Sequence, residues 1–417
     1  MEIRRDSYVN ELAKRRDSGL AKVVTGIRRC GKSYLMLNLF KKSLLDAGMP
    51  EDHIISVDLE DFDNYALRDP QALYSHVKGL ISDKNPYVVL IDEIQHVSGF
   101  EDVVNGIMRI PNADVYVTGS NSRFLSTDII TEFRGRTDEV RVHPLSFGEF
   151  LSAFDGTPEQ AWREYYTYGG MPLVLSQPDD TAKIQYLKNL FETVYLKDIC
   201  DRNGLRHRRE LDSLVDVLAS AAGSLTSIRK LENTFKSETQ SKITDKTIKS
   251  YIDHLEDAFL IEEAVQYDVK GRKYIAAPRK YYFEDVGLRN ARLGLRQQDQ
   301  NHIMENVIFN ELRARGYLVD VGTVRTTETD EDGARREVRL EVDFVGRKGD
   351  NVCYIQSAFA MPDLEKEKQE YRPLKKIDDS FRKYVIVGYD IKAKRDNDGI
   401  VTMGLLDFLT DRESLNR

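Results

Sequence analysis

The chain has 417 residues, of which 41% are hydrophobic and 31% charged, and 61 Lys and Arg against 69 Asp and Glu give a formal net charge of −8. This composition excludes collagen-like, disordered and histone-like proteins, and the length predicts two to three domains. The net acidity also excludes a basic field over the whole surface, so any contact with nucleic acid would depend on a local patch.

The sequence contains no obvious signal for export or membrane insertion. The segment Met1–Asp6 is charged and lacks an apolar stretch, and no apolar run approaches the roughly 18–20 residues that cross a bilayer. The three cysteines Cys30, Cys200 and Cys353 are widely spaced, which predicts neither a disulfide framework nor a zinc site. We therefore expect a cytoplasmic protein without a membrane partner.

Short apolar runs alternate with helical segments over the first half of the chain. Such alternation predicts a parallel β-sheet with helices on its faces, and thus an α/β fold. The predicted strands cover residues 21–25, 53–59, 87–91 and 114–118, and the predicted helices cover residues 32–47 and 73–81.

The segment Gly26–Ser33 fits the pattern G-x-x-x-x-G-K-[ST] between a predicted strand and a predicted helix. Glycines let the backbone curl around phosphates, and the following helix start favours negative charge. This context predicts that Lys32 contacts the β- and γ-phosphates of ATP and that Ser33 holds Mg²⁺. The predicted nucleotide-binding residues are Gly26, Arg28, Arg29, Cys30, Gly31, Lys32, Ser33 and Tyr34.

The apolar run of residues 87–91 ends in Asp92 and Glu93. Carboxylates are expected at the carboxyl end of a buried parallel strand, where ligands bind in open α/β sheets. Asp92 is therefore the predicted Mg²⁺ ligand and Glu93 the predicted general base for the attacking water. The alternative is a plain strand followed by an acidic turn.

Two later segments could also reach the nucleotide. A polar side chain within Thr118–Ser122 could orient water or contact the γ-phosphate, and an arginine within Arg134–Arg136 could contact the transferring phosphate of its own subunit or of a neighbour. The alternatives are an ordinary turn after a strand and a surface arginine.

The motifs TGIRRCGKS, VVLIDEIQHV, VTGSNSRFL, FRGRTDEVRVHPLSFGEF and YGGMP occur in this order. Over nearly its whole length the chain resembles the AAA+-like P-loop ATPases of bacteria and archaea, whose C-terminal region has no assigned function. The resemblance implies Asn121 in the sensor role and Arg136 as the arginine of the family's Gly-Arg. With Glu93 and Lys32, these two residues complete the predicted catalytic set.

The middle of the chain has the element order of a winged helix. Three predicted helices within residues 213–264 precede two strands joined by a Lys270-Gly271 turn. Residues 270–296 contain eight basic side chains against two acidic ones, which makes double-stranded DNA a candidate partner for residues 242–296. The alternative is a lid or packing module whose charges are solvated.

The last region resembles the PD-(D/E)xK nuclease fold in its order of helix, three strands, helix and strand. Glu305 and Asp343 lie where that fold has its first metal-binding acids. The next strand should contain Glu-x-Lys but has Gln356 and Ala358, which neither bind Mg²⁺ well nor orient water. The region is therefore predicted to be a degenerate nuclease-like domain without cleavage activity.

These predictions combine into an α/β protein with an ATPase core at 1–150, a helical lid at 151–205, a winged helix at 206–300 and a degenerate nuclease-like domain at 301–417. We expect Mg²⁺-dependent ATP hydrolysis by in-line water attack, with the nucleotide state coupled to the C-terminal domains. Two alternatives remain: a slow nucleotide-gated signalling or assembly switch that binds proteins, and an ATP-driven nuclease, against which Gln356 and Ala358 argue. A homo-oligomer also stays open.

Overall fold

A computed structural model describes residues 3–119, 135–205, 208–238, 243–296, 299–329 and 335–416. The chain forms two compact units, one of Met1–Pro144 with Asp257–Phe259 and one of Leu145–Glu256 with Leu260–Arg417. Within the described ranges, no helix combines the length and the apolar character that crossing a membrane requires.

The first unit is an α/β layer structure. A π-helical segment, Leu35–Phe40, joins two of its short helices into one continuous helical stretch. The described elements are α1 (Asp6–Lys14), β1 (Ala21–Thr25), α2 (Lys32–Tyr34), α3 (Lys41–Asp46), β2 (Ile54–Asp58), α4 (Pro70–Leu80), β3 (Tyr87–Asp92), α5 (Phe100–Ile107), β4 (Ala113–Thr118) and β5 (Thr137–Arg141).

These five strands form a parallel sheet in the order β2-β3-β4-β1-β5. Strands β1 and β3 are buried along their whole length, and α4 and α5 pack on the sheet through Leu73, Val77, Val104 and Ile107. The predicted α/β class and parallel sheet are confirmed, with strand bounds close to those predicted. Parallel pairing brings the carboxyl ends of β1, β3 and β4 to one edge.

The second unit begins with helices and ends with a sheet. Capping boxes at Ser146 and Thr157 begin its first two helices, since each side chain accepts an N–H three residues later. From residue 145 onward the helices are α6 (Phe147–Ala153), α7 (Pro158–Tyr168), α8 (Asp180–Asn189), α9 (Lys197–Asn203), α10 (Arg208–Ser220), α11 (Ile228–Glu238), α12 (Asp245–Asp257), α13 (Val286–Arg292), α14 (Gln300–Ala314), α15 (Leu364–Lys375) and α16 (Leu405–Thr410), with a π-helix at Leu190–Leu196.

The strands of this unit form one mixed eight-stranded sheet in the order β12-β13-β11-β10-β9-β8-β6-β7. They are β6 (Ile261–Asp268), β7 (Lys273–Phe283), β8 (Leu318–Thr329), β9 (Arg335–Lys348), β10 (Asn351–Ala358), β11 (Arg382–Val387), β12 (Lys394–Arg395) and β13 (Ile400–Gly404). The helical interpretation of residues 261–264 is wrong, because they begin β6, where burial alternates as in a strand with one covered face.

The hairpin of β6 and β7 does not stand apart from the C-terminal strands. Strand β6 pairs with β8 in parallel, with Gln266 opposite Val321 and Asp268 opposite Thr323. The hairpin that the sequence analysis placed in a winged helix thus continues the sheet that it placed in a nuclease-like domain. The division into separate winged-helix and nuclease-like domains stays a prediction.

Candidate nucleotide site

The phosphate loop connects the carboxyl end of β1 to α2 in a tightly turned conformation. Gly26 has φ 141°, and a Cβ there would lie 2.1 Å from the carbonyl oxygen of Val142, so only glycine fits. Arg29 and Gly31 also have positive φ, of 65° and 98°. Backbone of this kind curls so that successive N–H groups can face an anion.

Lys32 is folded back over the loop, and its side chain is buried. Its Nζ donates to the carbonyl oxygens of Gly26, at 3.0 Å, and Ile27, at 3.1 Å. These acceptors are uncharged, so they hold the ammonium in place without neutralising it. Cys30 is fully buried and its Sγ donates to the carbonyl of Val142 at 3.3 Å, which fits a spacer inside the loop. The remaining predicted contact residues are more accessible: Arg28 is half-buried, whereas Arg29 and Tyr34 are exposed.

Asp92 and Ser33, the predicted magnesium ligands, are in contact. The buried carboxylate of Asp92 accepts hydrogen bonds from the hydroxyl groups of Thr118 and Ser33. Burial, opposed by these two hydrogen bonds, raises the pKa of Asp92 to about 6. Carboxylate and hydroxyl oxygens suit Mg²⁺, which usually completes its shell with water and substrate phosphates. Within the described ranges, no group of three or more His, Cys, Asp and Glu side chains could hold a metal ion.

Glu93 is held in an unusual backbone conformation beside Asp92. Its φ is 50°, in the left-handed region, and its N–H donates to the hydroxyl oxygen of Thr118 at 2.8 Å. The same hydroxyl donates to Asp92, so Thr118 links the two acids. The side-chain amide of Gln95 donates to the carboxylate of Glu93. A strained non-glycine residue of this kind costs about 1–3 kcal/mol and persists where its surroundings fix it.

The predicted sensor segment is described only in part. Thr118 ends β4 and is fully buried, whereas Ser120 and Asn121 lie outside the described residues. Thr118, the polar side chain described at this tip, contacts both acids. The predicted sensor role of Asn121 stays a prediction.

Asp58 is an acid of this edge that the sequence analysis missed. It lies directly opposite Asp92 in the pairing of β2 with β3, and the N–H of Leu59 donates to the carbonyl of Asp92 at 3.3 Å. The negative charges of Glu93 and Asp58 both contribute to the raised pKa of Asp92. The available signal was that β2, like β3, is an apolar run that ends in an aspartate.

Arg5 is a second residue that the sequence analysis missed. Its buried guanidinium donates to the carbonyls of Cys30, at 3.1 Å, and His143, at 2.8 Å. The hydroxyl of Tyr8 accepts the N–H of His143 at 3.2 Å. The segment around α1 thus braces the phosphate loop against the chain that follows β5. No sequence pattern indicates contacts over such separations.

Arg136 lies at the opposite edge of the sheet from the phosphate loop. Its carbonyl accepts the N–H of Ala21 at 2.9 Å, and Thr137 pairs with Ala21 in the parallel ladder of β1 and β5. Strand β1 has five residues, which at about 3.3 Å each span roughly 16 Å. The backbone of Arg136 is therefore separated from the start of the phosphate loop by the length of β1.

The predicted DNA-contacting stretch is less basic at the surface than in sequence. Lys280 and Arg289 are buried, Arg279 pairs with Glu263, and Arg292 contacts Glu192 and Asp216, with its Nη1 2.7 Å from Glu192 and its Nε 2.6 Å from Asp216. Half of the eight basic side chains are therefore buried or paired with acidic side chains. The exposed ones are Lys270, Arg272, Lys273 and Arg296.

The predicted nuclease acids Glu305 and Asp343 are buried, and both lie beside Lys280. Gln356 does not join them through its side-chain amide, which donates to Glu370 at 3.1 Å. The structure thus brings the two predicted acids together, and Lys280 of β7 lies beside both of them. The sequence predicted a degenerate metal site but gave no indication of this lysine.

Residues 18–151 match the model of an AAA domain, and residues 159–299 match a domain of unknown function. An uncharacterized protein of Haemophilus influenzae is 33% identical over 413 residues, which cover 98% of each chain. An uncharacterized protein of Methanocaldococcus jannaschii is 28% identical over 362 residues, which cover 84% of this chain and 76% of the relative.

Similar solved structures include an Aeropyrum pernix ORC1 protein in complex with DNA, with a TM-score of 0.33, 13% identity and coverage of 70% of this chain and 93% of that one. Cdc6p from Pyrobaculum aerophilum gives a TM-score of 0.28, 10% identity and coverage of 73% and 94%. These TM-scores are too low to support a conclusion. The 33% identity over 98% of each chain shows that the protein belongs to one family with the uncharacterized Haemophilus influenzae protein, and residues 18–151 of this chain match an AAA domain.

Proposed function

We propose that this protein binds ATP together with Mg²⁺ and hydrolyses it by in-line attack of water. The observation that supports this most is the contact of Asp92 with both Ser33 and Thr118, because it joins the phosphate loop to the acidic ends of the sheet. A phosphate loop alone would support binding. The acids beside it support hydrolysis as well.

Each residue of this edge has a distinct role in the proposal. Lys32 and the loop N–H groups stabilise the charge of the β- and γ-phosphates. Ser33 and Asp92 hold Mg²⁺, which when bound neutralises charge on the phosphate oxygens. Glu93 accepts a proton from the attacking water, and the Thr118 hydrogen bond to its N–H fixes the position from which it does so.

The proposal also includes an arginine from a neighbouring copy. Since Arg136 lies at the far edge of its own sheet, it could stabilise the transferring phosphate only across an interface between subunits. Asn121 keeps its predicted sensor role, although it lies outside the described residues. A test of the Arg136 role requires a homo-oligomer, and a test of the Asn121 role requires the nucleotide-bound state.

The Glu93→Gln variant tests the hydrolytic step. We expect it to bind ATP with Mg²⁺ as the wild type does but to turn over at least about 100-fold more slowly, because an amide cannot accept the proton. The matched control is Glu60→Gln, an exposed acid after β2, which should keep its turnover. Equal turnover of Glu93→Gln and the control would remove Glu93 from this role and leave a nucleotide-gated switch as the better interpretation.

Contact with double-stranded DNA is a second candidate, favoured by the exposed basic turn formed by Lys270, Arg272 and Lys273. Changing all three to Ala should weaken DNA binding. It should also reduce the slope of the logarithm of the binding constant against the logarithm of the salt concentration by the equivalent of up to about three phosphate contacts. A control with the same charge change replaces the exposed residues Lys14, Lys78 and Lys84 of the first unit. ATP-dependent oligomers without DNA binding at low salt would instead favour a switch that binds proteins.

A further inference from the structure

Three carboxylates of the second unit converge on one buried ammonium group. The Nζ of Lys280, on β7, lies 2.7 Å from Glu305 of α14, 2.7 Å from Glu341 of β9 and 3.7 Å from Asp343 of β9. The hydroxyl of Tyr282 donates to the same oxygen of Glu305 at 2.6 Å. We call these five residues the Lys280 cluster. Its side chains come from three separate elements of the fold.

A β-bulge brings Asp343 into the cluster. In the pairing of β8 with β9, Asp320 lies opposite Val345 and Gly322 lies opposite Val342, so two residues of β9 face one residue of β8. A bulge of this kind changes the direction of a side chain and is frequent beside functional sites. One carboxylate oxygen of Asp343 accepts the N–H of Ser357 at 2.8 Å, and the other faces Lys280.

The cluster has more acidic groups than basic ones. Three carboxylates face the one ammonium, at 2.7, 2.7 and 3.7 Å from its nitrogen. Lys280 is itself 3% exposed in its side chain, and a buried ammonium is tolerable only because these carboxylates surround it. The arrangement therefore has the geometry of a cation held by oxygen ligands, with the cation supplied by the chain.

We propose that the ammonium of Lys280 takes the place of a divalent cation in this cluster. The wild-type protein then binds no metal there, and removal of the ammonium opens a site for a hard cation between Glu305, Glu341 and Asp343. Oxygen ligands lie about 2.3–2.6 Å from Ca²⁺, so two carboxylates would move by only a few tenths of an ångström from their distances to Nζ. Asp343 would have to move by roughly 1 Å from its present 3.7 Å.

The structural role of Lys280 supports this assignment. The hydrogen bonds from Lys280 to Glu305 and from Tyr282 to Glu305 tie β7 to α14, so the internal cation has a structural role as a bound metal would. The inference does not depend on the proposed ATPase function.

Terbium luminescence tests the proposal, because a tyrosine sensitises the emission of a nearby Tb³⁺ ion and Tyr282 is a member of the Lys280 cluster. The proteins compared are the one that retains Lys280, with and without Asp343→Asn, together with Lys280→Arg, Lys280→Met and Lys280→Met with Asp343→Asn. All have an Asp92→Asn background and are measured without nucleotide. We expect saturable Tb³⁺ emission in Lys280→Met only. Ca²⁺ should compete for the site and raise the melting temperature of that variant by at least about 2 °C.

Two results would overturn the proposal. One is Tb³⁺ emission from the cluster in the protein that retains Lys280, recognised by its loss in Asp343→Asn. The other is a folded Lys280→Met variant, verified by circular dichroism, that binds neither Tb³⁺ nor Ca²⁺. Should Lys280→Met fail to fold, Lys280→Gln takes its place, since it keeps a hydrogen-bond donor without the charge, and its failure to bind either ion counts against the proposal equally.

Discussion

The N–H of Ala21 donates to the carbonyl of Arg136 at the amino end of the first sheet, whereas the phosphate loop begins at the carboxyl end of the same strand. This separation is the basis for the proposal that a second copy supplies Arg136 to the nucleotide. A test of the predicted role of Arg136 is therefore also a test of whether copies of the protein assemble into an oligomer.

Arg136→Ala should reduce ATP turnover by about 1,000-fold or more if the arginine acts across an interface. Mixing this variant with Lys32→Ala should restore part of the activity, because some interfaces then combine an intact phosphate loop with an intact Arg136. Steady-state turnover and light scattering measure both effects. Arg109→Ala, an exposed arginine of the same unit, serves as the control. Mixed oligomers without any recovery would contradict the assignment.

Thr118→Val should lower turnover by at least about tenfold while the protein stays folded. The change leaves the N–H of Glu93 without its acceptor and Asp92 without one donor, and an unsatisfied buried group costs about 1–3 kcal/mol. Thr118→Ser keeps the hydroxyl and should stay close to wild-type turnover. If both variants behaved alike in a steady-state assay, the hydroxyl would have no part in fixing the acids.

Gly26→Ala should abolish ATP binding, because its Cβ would lie 2.1 Å from the carbonyl oxygen of Val142. The matched change Gly79→Ala lies inside α4 with no atom within 4 Å of the new Cβ, and should stabilise the protein by about 0.5–1 kcal/mol. Binding of a fluorescent ATP analogue and thermal melting measure the two effects. Wild-type affinity in Gly26→Ala would show that the loop adopts another conformation when it binds.

The raised pKa of Asp92 predicts two effects of pH. The folded state keeps a proton that the unfolded chain loses near pH 4, so this residue's contribution to the free energy of unfolding falls as the pH rises from about 4 to about 6. Since Mg²⁺ needs the ionised carboxylate, Mg²⁺-dependent ATP affinity should decrease below about pH 6, by up to tenfold per pH unit. Mg²⁺ titrations at several pH values measure this, and Asp92→Asn should remove the dependence. An unchanged pH profile in that variant would assign the effect to another group.

The strands and the motif residues of the first unit could be predicted because their signals are local. An apolar run predicts a buried strand, and the spacing of Gly26, Gly31 and Lys32 identifies a phosphate loop without knowledge of any partner. The contacts of Thr118, Asp58 and Arg5 could not be predicted, since each contact depends on the strand order or on groups far away in the sequence. The roles of these residues follow from the fold and not from the residues next to them in the chain.

Lys280 shows that the sequence also cannot tell which charged side chains are buried. In the sequence it adds to a basic stretch, which suggested a surface for phosphate groups. In the fold it is buried among Glu305, Glu341 and Asp343, and it adds nothing to the charge of the surface. A count of charges gives their number in a segment but not which of them reach solvent.

The pairing of β6 with β8 also determines how the protein can be dissected. A chain truncated near residue 300 would keep the hairpin of β6 and β7 but lose β8, which leaves the N–H and C=O groups of Gln266 and Asp268 without their strand partner. An open edge of this kind recruits other strands, so the fragment should aggregate or exchange strands between copies. Loss of activity on deleting the last hundred residues would then report a damaged sheet and would not by itself assign a role to the deleted strands.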